Sequence, residues 1–137
     1  MDAREYLEQI EKFEKIIANK EIEKKYWLDM AKGTSVKMDG ERVQTSSDGQ
    51  SMANNVVEAV LIDEEIARLK AEIAGIIRTL ERLKTSDYDF LHKVYIQRKT
   101  LKEIHEEKKN SYSWATSTHS RALRNLQAIL DEKKERL

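Results

Sequence analysis

Ala59, Ile62, Ile66, Leu69, Ile73, Ile76, Leu80 and Leu83 follow one another at intervals that alternate between three and four residues. Side chains three and four apart share one face of an α-helix, so these eight make a single apolar seam about 36 Å long at 1.5 Å per residue. Burying each Leu or Ile is worth about 1.5–3 kcal/mol, so a seam of this length has to be covered. The chain must therefore build a long helix together with something for it to lie against. That cover is either another part of the chain or a second copy of it.

Composition agrees with a helical answer. Among 137 residues there is no Pro and only four Gly, while 36% are charged and 39% apolar. Few helix breakers and many Lys, Glu and Leu favour long helices, and the predicted class is all-α. Cysteine is absent, which excludes disulfides and thiolate metal sites. No run approaches the roughly 18 apolar residues of a membrane span. The opening residues Met1, Asp2, Ala3, Arg4 and Glu5 carry no apolar signal core, so a soluble cytoplasmic protein is expected.

The first helix is expected over residues 2–32. Asp2 caps it, and Glu5 stands three positions on as the reciprocal partner of a capping box. Tyr6, Ile10, Phe13 and Ile17 form its stripe, and Gly33 is the expected C-cap. Past Asn19 the spacing changes to fours, with Ile22, Tyr26 and Met30 drifting from the first register, and Lys20 and Lys24 occupy the continuing heptad positions. Residues 33–50 are polar and carry Gly33, Gly40 and Gly49, which reads as a connecting loop. It is a surface loop or a contact loop for DNA or a partner. The expectation for residues 1–84 is thus a long antiparallel helical hairpin. Because lysines interrupt the stripe that faces the seam, part of the seam is expected to serve a homodimer. The alternative is a monomer whose C-terminal helices fold back over the hairpin.

After Lys84 the helices shorten. Ser86 is the expected cap of a helix reaching about Gln97, with Phe90, Leu91, Val94 and Tyr95 on one face. Thr100 and Glu103 make a second capping-box pattern for a helix to about Lys108, anchored by Leu101 and Ile104. Ser111 or Ser113 opens the last helix, with Ala115, Thr118, Ala122, Leu123, Leu126 and Ile129 or Leu130 inward. Residues 85–137 form the second expected domain, a three-helix module.

Charge is distributed unevenly. The net charge of the chain is zero, but residues 1–84 hold 14 basic and 17 acidic groups and residues 85–137 hold 11 and 8, so −3 is followed by +3. From Asn110 to Leu130 there is no Asp or Glu. A helix entering the major groove of DNA passes between two rows of phosphates, where carboxylates are repelled and small polar side chains can approach base edges. The candidate DNA-binding residues are Tyr112, Ser113, Trp114, Thr116, Ser117, His119, Ser120, Arg121 and Arg124. A solvated polar face would have the same appearance. Trp114 has two readings, a contact to thymine methyls or sugars, and packing against neighbouring helices.

The segment SDYDFLHKVYIQRKTLKEIHEEKKNSYSWATSTHSRALRNL, residues 86–126, resembles the C-terminal helix-turn-helix of sigma-type factors, region 4. YDFLHKVYIQRKTLKEI matches its first helix and the start of the scaffold helix, and HSRALRNL matches the end of the recognition helix. The whole chain is similar to a family of small phage and prophage proteins of Gram-positive bacteria, which begin like AREYLEQI and continue through a segment like GERVQTSSDGQSMAN. The resemblance implies regulation of phage transcription, duplex DNA as the partner, and a hairpin that dimerises or contacts RNA polymerase. It places Leu101 and Ile104 in the scaffold core, Ala115, Thr118, Ala122 and Leu123 inward, Ser113, Trp114, Thr116, Ser117 and Ser120 toward the groove, and His119 and Arg121 near phosphates. Three departures stand out. His105 replaces a small Ala, Lys108 and Lys109 replace Leu-Gly at the turn, and Thr118 replaces a larger aliphatic. At that turn either Lys109 accepts positive φ at a cost of about 1 kcal/mol, or Asn110 supplies it one residue later.

Catalysis is not expected. His92, His105 and His119 lack metal-ligand spacing, no serine sits in a strand-to-helix elbow, and no Gly-rich phosphate loop occurs. Glu64 and Glu65, like Glu106 and Glu107, are neighbours that diverge around a helix. No cofactor and no metal is implied. Besides DNA binding, a structural or protein-interaction module built on the long seam is the other reading.

Overall fold

The computed structural model describes residues 1–36 and 45–136, with side chains for 1–32 and 51–132. It is all-helical, and among the described residues there is no strand. In chain order the elements are α1 (Ala3–Val36), α2 (Thr45–Leu80), α3 (Thr85–Tyr95), α4 (Leu101–Lys108) and α5 (Tyr112–Arg136). No helix among the described residues is long and apolar enough to cross a membrane.

Helix ends differ from the expected ones at the glycines. α1 runs through Gly33 to Val36, and α2 already includes Thr45–Gln50 with Gly49 inside it. Gly33 is therefore not a C-cap, and the expected loop 33–50 contracts, its central residues 37–44 lying outside the described part. One glycine inside a helix costs only about 1 kcal/mol, which two helices this long offset through their packed faces. α3 begins one residue before Ser86. Its N-cap is Lys84, with no side-chain cap bond, and the helix ends at Tyr95 rather than Gln97. At the start of α1 the expected cap forms, since Glu5 N–H donates to Asp2 Oδ1 at 2.8 Å.

The chain divides into two compact units. One comprises Met1–Phe13 and Glu72–Leu137. Its main core gathers Leu7 and Ile10 of α1, Ile76 and Leu80 of α2, Leu83, Leu91 of α3, and Ala122 and Leu126 of α5. The expected boundary between residues 84 and 85 falls within this core. α2 ends at Leu80, but Leu83 N–H donates to the Leu80 carbonyl, and this tightened turn keeps Leu83 buried. Tyr6 Oη donates to Thr79 Oγ1 at 2.9 Å, a polar link between the two long helices inside the unit. A second core of Phe90, Ile104 and Ala115 joins α3, α4 and α5, flanked by Val94, Leu101 and Trp114.

The other unit comprises Glu14–Ala71. Ala59, Ile62, Ile66 and Leu69 of the seam are buried here, as is Ala31 of α1. Lys20 and Lys24 do not leave the seam open. Lys20 pairs with Glu65 at 2.7 Å and Lys24 with Asp63 at 2.9 Å. A lysine stem covers apolar surface while its ammonium stays at the edge, so each lysine covers the seam and carries an ion pair at once. The stripe that drifts from register, Ile22, Tyr26 and Met30, is exposed, together with Val56, Val57, Val60 and Leu61 of α2.

Candidate nucleic-acid interface

The segment that links α4 to α5 fixes how the last helix is presented. Thr100 and Glu103 form the capping box expected from the sequence. Glu103 N–H donates to Thr100 Oγ1 at 3.1 Å, and Thr100 N–H donates to Glu103 Oε1 at 3.0 Å. Donation from Thr100 N–H, and then from the Thr100 hydroxyl at 3.1 Å, holds the Glu103 carboxyl below its ordinary pKa. At the other end of α4, Lys109 adopts the left-handed conformation with φ 56° and ψ 41°. Lys109 N–H donates to the Glu106 carbonyl and Asn110 N–H to that of His105, a Schellman-type ending. Lys109, and not Asn110, thus takes the place where the resemblance has glycine. His105 explains itself here, because its Nδ1 lies 3.0 Å from the Asn110 carbonyl and its ring meets Tyr112 edge-on at 5.7 Å. A residue that departs from the small Ala fastens the turn.

Ser111 then starts α5, its Oγ accepting from Trp114 N–H at 3.0 Å. Packing against both α3 and α4 orients the helix, with Ala115, Thr118, Ala122 and Leu126 buried beneath it. Ser113, Ser117, Ser120 and Arg124 are exposed and recur at steps of four, three and four, so they form one outward line along the helix. Tyr112 is exposed at its start. No carboxylate occurs in the first turn.

Other candidates are drawn off that line. Thr116 is half-buried and its hydroxyl donates to the Ser113 carbonyl at 3.0 Å. Trp114 packs edge-on against Phe90 with centroids 5.8 Å apart, so its ring serves the second core. His119, expected near phosphates, is half-buried instead. Its Nε2 lies 2.9 Å from Tyr95 Oη, and its ring stacks on Tyr95 and tilts against Phe90. Burial, and secondarily the charge of Arg4, lowers its pKa and favours the neutral imidazole. The same burial raises the Tyr95 phenol. A residue at 119 lies about 60° around the helix from the buried Ala122, too far inward for a phosphate contact. Arg121 remains exposed, but its guanidinium sits 3.9 Å from Asp87 Oδ1 and is pulled along the flank.

Three features of this surface were not anticipated. Asp87 is fully buried, and its Oδ2 accepts from Asn125 Nδ2 at 2.7 Å, while its Oδ1 has no hydrogen-bond partner. Asp89 gathers two cations, Lys93 at 2.9 Å and Lys108 at 3.7 Å, and Lys93 keeps its carboxyl below the ordinary range. A cavity of about 190 Å³ lies there, lined by Phe90, Ile104, Trp114, Lys93, Lys108 and Arg121 among others. Last, Ala3 N–H donates to Gln127 Oε1 at 2.7 Å, which brings the first turn of α1 against α5 beside Arg124. Apart from the i,i+4 pair Asp89–Lys93, these pairings join residues distant in sequence, and no local pattern announces them. Among the described residues no group of three or more His, Asp or Glu converges as a metal site.

No protein-family model, curated protein or solved structure matches the chain.

Proposed function

We propose that the chain is a non-enzymatic, sequence-specific double-stranded DNA-binding protein that regulates phage or prophage transcription. In this reading α3, α4 and α5 form a sigma-like helix-turn-helix, with α4 as scaffold and the N-terminal half of α5 in the major groove. α1 and α2 form an antiparallel hairpin that dimerises and is available to RNA polymerase. The observation that carries the proposal is the exposed line Ser113, Ser117, Ser120 and Arg124, held outward by the Lys109 turn and the Ser111 cap, on a helix whose first 19 residues contain no acid. Hydroxyl side chains approach base edges closely but lack the bidentate fork of Arg, so one module binds weakly. Two modules joined in a dimer gain through effective concentration.

The test is selection of a duplex target from a random pool, followed by retardation over a salt series. Salt-dependent binding that is stronger on the selected duplex supports the reading. Ser117→Glu places a carboxylate between phosphate rows and is expected to abolish it while helicity stays unchanged. Failure of the wild-type protein to select or bind any duplex, or a Ser117→Glu variant that binds like wild type, overturns it.

A second reading is favoured by a specific observation, the exposed Ile22, Tyr26, Met30, Val57 and Leu61 on the unit Glu14–Ala71. Single exposed apolar residues are ordinary, but several within a few helical turns mark a contact surface. In that case the protein acts as a structural or protein-interaction module, and DNA binding is absent while self-association or partner binding persists.

A further inference from the structure

Arg4 and Arg124 stand on two elements far apart in sequence and line one open cavity of about 330 Å³ together with Asp2, Ala3, Leu123 and Gln127. The other polar groups of that cavity are already engaged. Asp2 Oδ1 accepts from Glu5 N–H, Gln127 Oε1 accepts from Ala3 N–H, and Gln127 Nε2 donates to Asp131 Oδ1. Neither arginine has a carboxylate partner among the described residues, unlike Arg82 and Arg98 of the same unit. With Asp2 counted, the cavity keeps one uncompensated positive charge.

Folding alone does not favour this arrangement. Arg4 lies in the first turn of α1, where the helix dipole already presents its positive end, so a cation there is unfavourable. Arg124 adds a second positive charge to the same cavity. The field of Arg4 extends to its neighbours, for it acts against protonation of His119. A bound anion would relieve all three positive sources together.

Position says which anion. Arg124 continues the outward line Ser113, Ser117, Ser120 on α5. Ser113 to Ser120 spans about 10 Å at 1.5 Å per residue, close to the roughly 12 Å width of the major groove. Arg124, one turn further, reaches the edge of that groove, where the sugar-phosphate strand runs. We infer that Arg4 and Arg124 close together on one phosphodiester of duplex DNA, so that the start of α1 belongs to the DNA-binding surface. This rests on the reading of α5 as a groove-binding helix. Arginine suits the task because its planar fork can take two phosphate oxygens at once.

The experiment uses the full chain with Arg4→Ala, Arg124→Ala and the double variant, titrated on the selected duplex and on an unrelated one over a salt series. Because one phosphate is shared, each single variant is expected to weaken binding to both duplexes by the same factor. The double variant should reduce the slope of log affinity against log salt by about 0.9. Arg4→Lys should keep the slope and lose part of the affinity. Unchanged affinity and slope in the double variant overturns the inference while the groove reading stands, provided Ser117→Glu still abolishes binding. A slope reduced by about twice that amount, in equal steps, means separate phosphates and overturns the shared site. Loss confined to the selected duplex assigns base contact instead and also overturns it. If the wild-type protein shows no salt-dependent binding, both readings fall.

Discussion

Asp87 and Asn125 are 38 positions apart, and the carboxylate of the one accepts from the amide of the other at 2.7 Å, joining the first turn of α3 to the middle of α5. A buried polar group needs partners, and Asp87 has the Asn125 amide, with Arg121 at 3.9 Å. Asn125→Ala removes the one hydrogen-bond donor that the fully buried Asp87 carboxyl has among the described residues, and is expected to destabilise the protein by about 1–3 kcal/mol in denaturant unfolding. Asp87→Asn should cost less, since its amide oxygen can still accept from Asn125. If both variants unfold at the wild-type midpoint, the pair does not secure α5.

The seam is a core in a single chain, so its cost on truncation should follow burial residue by residue. Leu69→Ala, from a buried site, is expected to lose about 2–5 kcal/mol. Ile73→Ala, from a half-buried one, should lose less. Equal losses, or less than about 0.5 kcal/mol at Leu69, would contradict a buried Leu69 and a half-buried Ile73.

Lys109 adopts the left-handed region without being glycine, and Arg98 does so too at φ 62°. Lys109→Gly should therefore raise stability by about 1 kcal/mol, because the Cβ strain disappears while the two Schellman-type bonds remain. Asn110→Gly should bring no such gain. Arg98→Gly is expected to gain less than Lys109→Gly, since Arg98 also holds Glu11 at 2.9 Å. Thermal melts of the three variants check the order.

His119 gives the fold a pH dependence of defined sign. Its folded-state pKa lies below the ordinary 6.5, mainly through burial and then through Arg4. The unfolded chain consequently binds the proton more readily. The stability contributed by neutral His119 is present above about pH 6.5 and is lost as pH falls through the lowered value. His119→Gln keeps a polar partner for Tyr95 and does not titrate, so its stability should vary less with pH between about 7 and 5. Identical profiles for variant and wild type would remove His119 as the cause.

What could be read in advance was local. The three-four period from Ala59 to Leu83 and the caps at Asp2, Thr100 and Ser111 are short-range patterns, and each has its counterpart in the folded chain. Signals that depend on competition were less legible. Gly33 and Gly49 have the character of breakers, but helix packing outweighs about 1 kcal/mol. Ile22, Tyr26 and Met30 resemble a stripe, yet the five-residue step from Ile17 to Ile22 turns about 140° around the helix and sets them off the face of the seam. Lys20 and Lys24 read as interruptions because their partners Glu65 and Asp63 lie across the pair, about 40 residues on. On the interface the exposed serines and Arg124 follow from spacing, whereas the inward turn of His119 depends on Tyr95 and Phe90. The nearness of Arg4 to Arg124 depends on the Ala3–Gln127 hydrogen bond, which joins residues 124 positions apart.

The proposed dimer no longer draws on an uncovered seam, since Lys20 and Lys24 cover it within one chain. It draws on the outer apolar residues. Tyr26 and Met30 of α1 and Val57 and Leu61 of α2 project to the same side of the antiparallel pair, the side on which Glu65 meets Lys20. A two-fold contact places this patch against itself, burying each residue in both copies and requiring no second surface. Sedimentation equilibrium at tens of micromolar is expected to give twice the chain mass. Leu61→Glu puts a carboxylate opposite its symmetry mate in an apolar contact, and Tyr26→Glu does the same nearby, so either should give monomers of unchanged helicity. If DNA binding depends on joining two modules, the same variants should lose affinity for a selected two-site duplex and keep the weak affinity for a single site. A wild-type protein that sediments as a monomer throughout that range removes the dimer. A dimer that survives both substitutions places the contact on another surface.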